Sequence, residues 1–414
     1  MQFNKFILKQ SLSELKTLLT TPTGLTGLLL NIGHAIDHMF LLIFAVAVSS
    51  IALDFGFSSW EDLMPYSVGA FVFFGLGALP AGRLGDLYGR RILMAIFFFG
   101  MGITSILVSF SQNAWQLAIA LSFLGAFASI YHPVGIPMLV RDSQRPGRVI
   151  GINGLAGNFG IAIAAILTGF LVSWISWRAA FFIPGLFAII CGLIFIKVAP
   201  QESESPAKSK RPKTSNLSKS DLAKVFMVMT VTAVTGSAIF TFMVNGNMQI
   251  LGNGFKGHIE NPAVLGTLLA IIYMVASFTQ ILVGNWIDRF SMKRLQFWVA
   301  LVQIPLLIFI AYADGWMLFI ALLIGMAFIF GSIPFNDTMI IRYVDDQIRS
   351  RVAGMRYTVS FAISSLAVWL LGPMVKDKGF LFLLWIMAAI ALIRVIFILQ
   401  LPDDSNHHKA SQPQ

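Results

Sequence analysis

Apolar residues run through the chain in long blocks, parted by short clusters of charged and turn-forming residues at fairly even spacing. The blocks are Leu25–Ile51, Met64–Leu84, Ile92–Phe110, Trp115–Val140, Val149–Trp174, Ala179–Val198, Leu222–Ile250, Pro262–Ile287, Leu295–Ala313, Trp316–Ile341, Val352–Val375 and Phe380–Leu401. A helix needs about 20 apolar residues to cross a bilayer, so the pattern predicts an all-α membrane protein with twelve transmembrane helices. Upstream, Phe3, Phe6, Ile7, Leu15, Leu18 and Leu19 recur at helical spacing among Lys5, Lys9 and Lys16. That predicts an amphipathic segment on the membrane surface within residues 1–24. The first block is too long for a signal-peptide core, so no processing is expected.

Composition agrees and removes other classes. Of 414 residues 57% are hydrophobic and only 12% charged, about half the charge a soluble domain carries. The single cysteine, Cys191, allows no internal disulfide and no cysteine metal cluster. The net charge of +10 is spread over short loops, which gives no nucleic-acid surface. Basic residues cluster before the first block (Lys5, Lys9, Lys16) and after the second, fourth, eighth and tenth (Arg83, Arg90, Arg91; Arg141, Arg145, Arg148; Arg289, Lys293, Arg294; Arg342, Arg349, Arg351). The intervening loops hold only Arg178, Lys256, Lys376 and Lys378. By the positive-inside rule both termini and the central polar stretch are cytoplasmic.

That stretch, Pro200–Ser220, is rich in Ser, Lys, Glu and Pro and reads as a linker between two halves. The expected organisation is 1–24, an N-terminal cytoplasmic segment; 25–199, six helices; 200–220, the linker; 221–401, six helices; and 402–414, a tail. The halves echo each other. Gly82 and Asp86 recur as Gly284 and Asp288, 202 positions on; Pro133 and Arg141 recur as Pro334 and Arg342, at 201; Arg148, Gly151 and Gly169 recur as Arg351, Gly354 and Gly372, at 203. A half-chain period implies two parallel repeats about an axis along the membrane normal.

The stretch Gly82-Arg-Leu-Gly-Asp86-Leu-Tyr-Gly89-Arg90-Arg91 resembles the loop signature G-x-L-x-D-x-x-G-R-[RK] of the major facilitator superfamily, and it lies where that family carries it. A degenerate second copy runs from Gly284 through Asp288 to Lys293, with Ser291 and Met292 replacing the glycine and arginine. Trp177-Arg178-x-x-Phe181 is also similar to members of the family, efflux-type ones in particular. The resemblance implies the major facilitator fold, two pseudo-symmetric six-helix bundles in a bacterial inner membrane, a monomer, no enzymatic activity and no cofactor. It further implies that Asp86 faces the start of the eleventh helix, near Val352, when the cytoplasmic side closes; a loop whose charges only set topology is the alternative.

Ionisable groups inside a span are costly and rare, which marks them as functional candidates. The first span holds Asn31, His34, Asp37 and His38 at helical spacing. At 1.5 Å per residue Asp37 lies about 18 Å and His34 about 13 Å from the cytoplasmic end, while His132 of the fourth span lies about 12 Å in. The first, fourth, seventh and tenth helices line the cavity in the resembled fold, so these groups can converge. Three readings stand: Asp37 exchanges a coupling proton with histidine partners; the groups form a structural hydrogen-bonded pair; or His34, His38 and His132, with Asp37, bind a transition metal as cargo. Asn31, Tyr131, Asn245 and Asn336 are candidate substrate contacts, as are Asn153, Asn158 and Asn247, and a helix–helix hydrogen bond is the equal alternative for Tyr131 and for each asparagine of the later spans. Asp337 and Arg356 could form a gate pair or set topology. Gly151, Gly154, Gly157 and Gly160 recur every third residue in the fifth span.

No G-x-x-x-x-G-K-[ST] loop is present, which excludes a P-loop ATPase. The expected function is secondary transport of a small molecule or ion, with protons and the bilayer as partners, and export preferred to uptake. Uptake of an organic acid, sugar or metal chelate, and metal-ion transport, are the alternatives; a membrane sensor or enzyme is more distant.

Overall fold

A computed structural model describes residues 21–141, 146–201, 219–287, 289–344 and 346–401. The expected N-terminal surface helix, most of the linker, the C-terminal tail and Asp288 lie outside them. Among the described residues the elements are helices: α1 Pro22–Asp54, α2 Trp60–Tyr88, α3 Arg90–Ser109, α4 Ala114–Val140, α5 Pro146–Trp174, α6 Trp177–Val198, α7 Lys219–Gly254, α8 Pro262–Ile287, α9 Met292–Tyr312 and α10, Gly315–Gly331 continuing past Ser332 as Ile333–Tyr343. The last helical run, Asp346–Ile398, breaks at Gly379, where φ is 77°. That left-handed residue separates α11, 346–378, from α12, 380–398. Counted by length and hydropathy there are eleven runs among the described residues long and apolar enough to cross a membrane, the last of 44 residues, Met355–Ile398. Split at Gly379, it supplies the eleventh and twelfth spans.

Local sequence explains where the helices begin. Thr21 Oγ1 accepts from the Gly24 amide at 3.1 Å, with Pro22 in the first turn; Asn113 caps α4 and Ser176 caps α6 the same way. The apolar residues left on the surface are those that meet lipid tails. Trp115, Trp174 and Trp316 stand exposed at one set of helix ends, where an amphipathic ring suits the headgroup level. We call that set the far side; the opposite, linker side carries the ends of α6 and α12 and the starts of α1 and α7.

On the linker side the loop motif folds α2 back into α3. Gly89 sits at φ 94°, ψ 140°, a conformation that glycine adopts without a Cβ clash. A Cβ on Gly82 would stand 3.2 Å from Pro133 and one on Gly85 3.0 Å from Val134, so the motif's small residues let α2 press on α4. Arg91 reaches across to α6, donating from Nε to Ala199 O at 2.8 Å and from Nη2 to Ile196 O at 2.5 Å. It thus serves carbonyls that the helix end leaves without partners. Asp86 is 65% exposed and pairs with Arg90 at 3.6 Å.

The first six spans meet the last six on the far side. Gly169 on α5 lies so close to α8 that a Cβ there would meet Pro262 O and Gly266 Cα. Its repeat counterpart, Gly372 on α11, stands likewise against Glu61 O and Met64 of α2. Trp60 stacks on Phe380 (6.0 Å, 14°), Lys376 Nζ pairs with Asp62 Oδ1 at 2.5 Å, and Gln249 Nε2 donates to Ala45 O at 2.9 Å. Deeper, Phe361 fills the gap opposite Gly75 and meets Phe74 edge-on at 4.4 Å.

Candidate functional site

The polar residues of α1 gather around α4 and α5. Asn153 of α5 is the hub. Its Nδ2 donates to Tyr131 Oη at 2.7 Å and to Asn31 Oδ1 at 3.0 Å. Its backbone oxygen is 2.7 Å from His34 Nδ1. Since a carbonyl only accepts, His34 carries its proton on Nδ1, and Nε2 is left as an acceptor. That nitrogen lies 3.1 Å from His38 Nε2, which donates to it. Tyr131 donates to Leu30 O at 2.7 Å and stacks on His34 with ring centroids 4.7 Å apart. On its other side the His34 ring rests on Gly157: a Cβ there would stand 2.7 Å from Cε1.

Pro133 cannot continue an α-helical ladder, and α4 accommodates it with a π turn over Tyr131–Gly135. The wider turn brings His132 toward α1. His132 Nε2 is 3.5 Å from Asp37 Oδ2, and its ring lies 5.1 Å from that of His34 and 5.8 Å from that of His38. Asp37 is 0% exposed, and neither carboxyl oxygen has a hydrogen-bond partner among the described residues. A bare carboxylate there would cost several kcal/mol. Two arrangements of the pair avoid that cost: neutral acid beside neutral imidazole, and carboxylate beside imidazolium. One more proton makes the pair cationic. Nitrogen atoms of His34, His38 and His132 all lie within 4.8 Å of one another, close enough to share one ion.

Across the seam, Tyr357 of α11 faces His132 at 6.1 Å, and Arg356 lies over the Tyr357 ring at 4.5 Å while pairing with Asp337 of α10 at 2.7 Å. Asp337 and Arg356 thus join two helices of the same half. Asn245 donates to Thr241 O, and Asn336 accepts from Thr232; both belong to the second half, away from the histidines. Gly151 and Gly154 have open space where a Cβ would go, Gly160 abuts Ala35 O, and a Cβ on Gly284 would meet nothing. Sequence reasoning did not distinguish Asn153 from the other span asparagines, and it did not single out Arg394 of α12, 1% exposed. The second carried a signal, being the one charge in Phe380–Leu401.

Residues 30–368, covering both halves, match the profile of the Major Facilitator Superfamily. The chain belongs to that superfamily. Among superfamily relatives, the multidrug resistance protein MdtG of Dickeya zeae is 24% identical over 358 residues, 83% of this chain and 85% of that protein. The puromycin resistance protein pur8 of Streptomyces alboniger is 24% identical over 38% of this chain, and a probable 4-methylmuconolactone transporter of Cupriavidus pinatubonensis is 27% identical over 44%. Those two matches span 31% and 44% of the relatives' own lengths. A crystal structure of a bacterial homologue of the human lysosomal transporter Spinster, inward-facing and occupied, superposes with a TM-score of 0.74 over 90% of this chain and 95% of that one, at 14% identity. The superfamily consists of membrane transporters and not enzymes, and the chain shares its multi-pass membrane architecture.

Gly157→Ala should separate the histidine from its supports. The added methyl collides with the imidazole, and overpacking of this kind costs about 1–3 kcal/mol, more than the roughly 1 kcal/mol gained in helix propensity. The variant should fold with a lower thermal midpoint, and the His34 imidazole resonance should lose its shielding by Tyr131. An unmoved resonance would show that Gly157 does not set the ring's position.

Proposed function

We propose that this superfamily member is a proton-coupled secondary transporter that exports a small organic solute by alternating access, with Asp37 carrying the coupling proton. The observation that carries this reading is the carboxyl group of Asp37, wholly buried, without a hydrogen bond among the described residues, and 3.5 Å from His132. A carboxyl left without partners in the membrane interior is free to take up and release a proton where a structural one would be tied down. His34 and His38 of α1, Tyr131 and His132 of α4, and Tyr357 and Arg356 of α11 with Asp337 of α10 are the titratable and charged groups around it. Three of these, Tyr357, Arg356 and Asp337, come from the other half, so a change of charge at Asp37 bears on the contact between halves.

The far-side contacts fit a protein closed on that face. With the basic loops placed at the cytoplasm, the solute site then opens inward, and export requires the far seam to part. Asp86, Gly89 and the motif arginines belong to the linker side and bias closure there, without touching solute. The resistance functions named for MdtG and pur8 support this direction. The experiment is solute flux in proteoliposomes under an imposed proton gradient, using solutes chosen from growth inhibition of a deletion strain. Flux that collapses with a proton ionophore is expected. Flux indifferent to the ionophore, or dependent on a divalent cation as cargo, would overturn the proton assignment.

A further inference from the structure

The second half buries a cation that the proton pathway does not use. Arg394 Nη1 donates to Ser332 Oγ of α10 at 3.2 Å, while Nε and Nη2 have no acceptor among the described residues. These two nitrogens lie on one edge of the planar guanidinium, and their parallel N–H bonds match the two oxygens of a carboxylate. The guanidinium stays charged at any physiological pH. No acidic side chain among the described residues pairs with it; the nearest in sequence to its α10 partner, Asp337, is held by Arg356. A buried cation whose bidentate edge has no acceptor calls for an anion from outside the chain.

Gly236 of α7 supplies the approach. It is partly accessible, and a Cβ on it would stand 3.8–3.9 Å from Nη1, Cζ and Nη2, so the glycine is what lies between the buried guanidinium and the partly accessible face of α7, and a longer side chain there would pack onto the group. The repeat makes the position informative. At offsets of 201 to 202 residues, Ser332 and Gly236 hold the places of Tyr131 and His34. The Arg394 guanidinium therefore lies where the first half has its stacked imidazole, at the same depth as the Asp37 cluster.

We propose that Arg394 is the binding group for a singly charged organic carboxylate, the solute class that the transport site takes. This rests on the transport reading above. A single negative charge balances the guanidinium, whereas phosphate would bring a second charge into an apolar setting. Ala233, Phe240 and Ile329, on neighbouring turns of α7 and α10, favour a carboxylate with an apolar body.

Purified full-length protein, tested with benzoate as probe, decides the matter. Benzoate should raise the thermal midpoint and bind in calorimetry, while benzamide, phosphate and chloride at matched ionic strength should not. Arg394→Met should weaken benzoate binding by roughly tenfold or more, yet unfold no earlier than wild type without anion, because it removes a buried unpaired charge. Gly236→Leu, which covers the guanidinium and leaves its charge, should lose benzoate binding as well. The proposal is overturned if wild type shows no benzoate effect, if phosphate or chloride act equally well, or if both variants bind benzoate normally. Arg394-dependent binding combined with gradient-indifferent flux would remove proton coupling and leave this site standing. Gradient-driven flux without Arg394-dependent binding would remove this site alone.

Discussion

Asp37→Asn should stop the protein from concentrating solute against a gradient while leaving solute exchange across the membrane intact. Asparagine keeps the size and polarity of the side chain but cannot gain or lose a proton. The site is buried and its oxygens make no hydrogen bond among the described residues, so the amide breaks none of the bonds described. Wild-type vesicles should build a solute ratio set by the proton gradient; the variant should settle at the equilibrium ratio. His132→Gln should behave differently. The imidazole at 3.5 Å tunes the carboxyl without replacing it, so transport should persist with a displaced pH optimum. Loss of exchange in Asp37→Asn would mean that the carboxyl holds the fold or the solute, and not the coupling proton.

Gly372→Leu should release the far side. A side chain at 372 meets the Glu61 carbonyl and Met64 of α2, and a backbone atom cannot rotate away as a long side chain can. Overpacking costs about 1–3 kcal/mol, which shifts the ratio of far-closed to far-open protein by roughly 5- to 150-fold. A cysteine at 249 reports the change, because Gln249 is buried and bridges to Ala45 of the other half. In a Cys191→Ser background, Gln249→Cys with Gly372→Leu should react faster with a membrane-impermeant thiol reagent from the far side than Gln249→Cys alone. Equal rates would show that this crossing does not hold the seam. Gly169→Leu on the opposite crossing should act in the same direction, since its Cβ would meet Pro262 O and Gly266.

The spans were legible because the bilayer imposes one rule, a long apolar run, and each block contains most of one helix. Their ends were less so. The structure starts α2 at Trp60 and α11 at Asp346, several residues before the apolar blocks, because caps and turns of polar sequence continue the backbone ladder. Spacing on α1 brought His34, Asp37 and His38 to neighbouring faces, and equal depth brought His132 toward them; these are properties of helical rise alone. The π turn at Tyr131–Gly135 was not legible, since Pro133 permits either a kink or a widened turn. Nor could spacing tell Asn153 from Asn158: which asparagine meets His34 depends on the rotation of α5, fixed by Gly157 and Gly160 against α1. Arg394 was readable as the lone charge in its span, but its open edge is a fact of packing.

Proton movement accompanying solute flux is the most direct test of Asp37 as the coupling group. Proteoliposomes holding a pH-sensitive dye, given a solute identified in the growth-inhibition panel, should show a solute-dependent pH change with wild-type protein and none with Asp37→Asn, although both exchange solute. A solute-dependent pH change of wild-type size in Asp37→Asn would contradict the assignment.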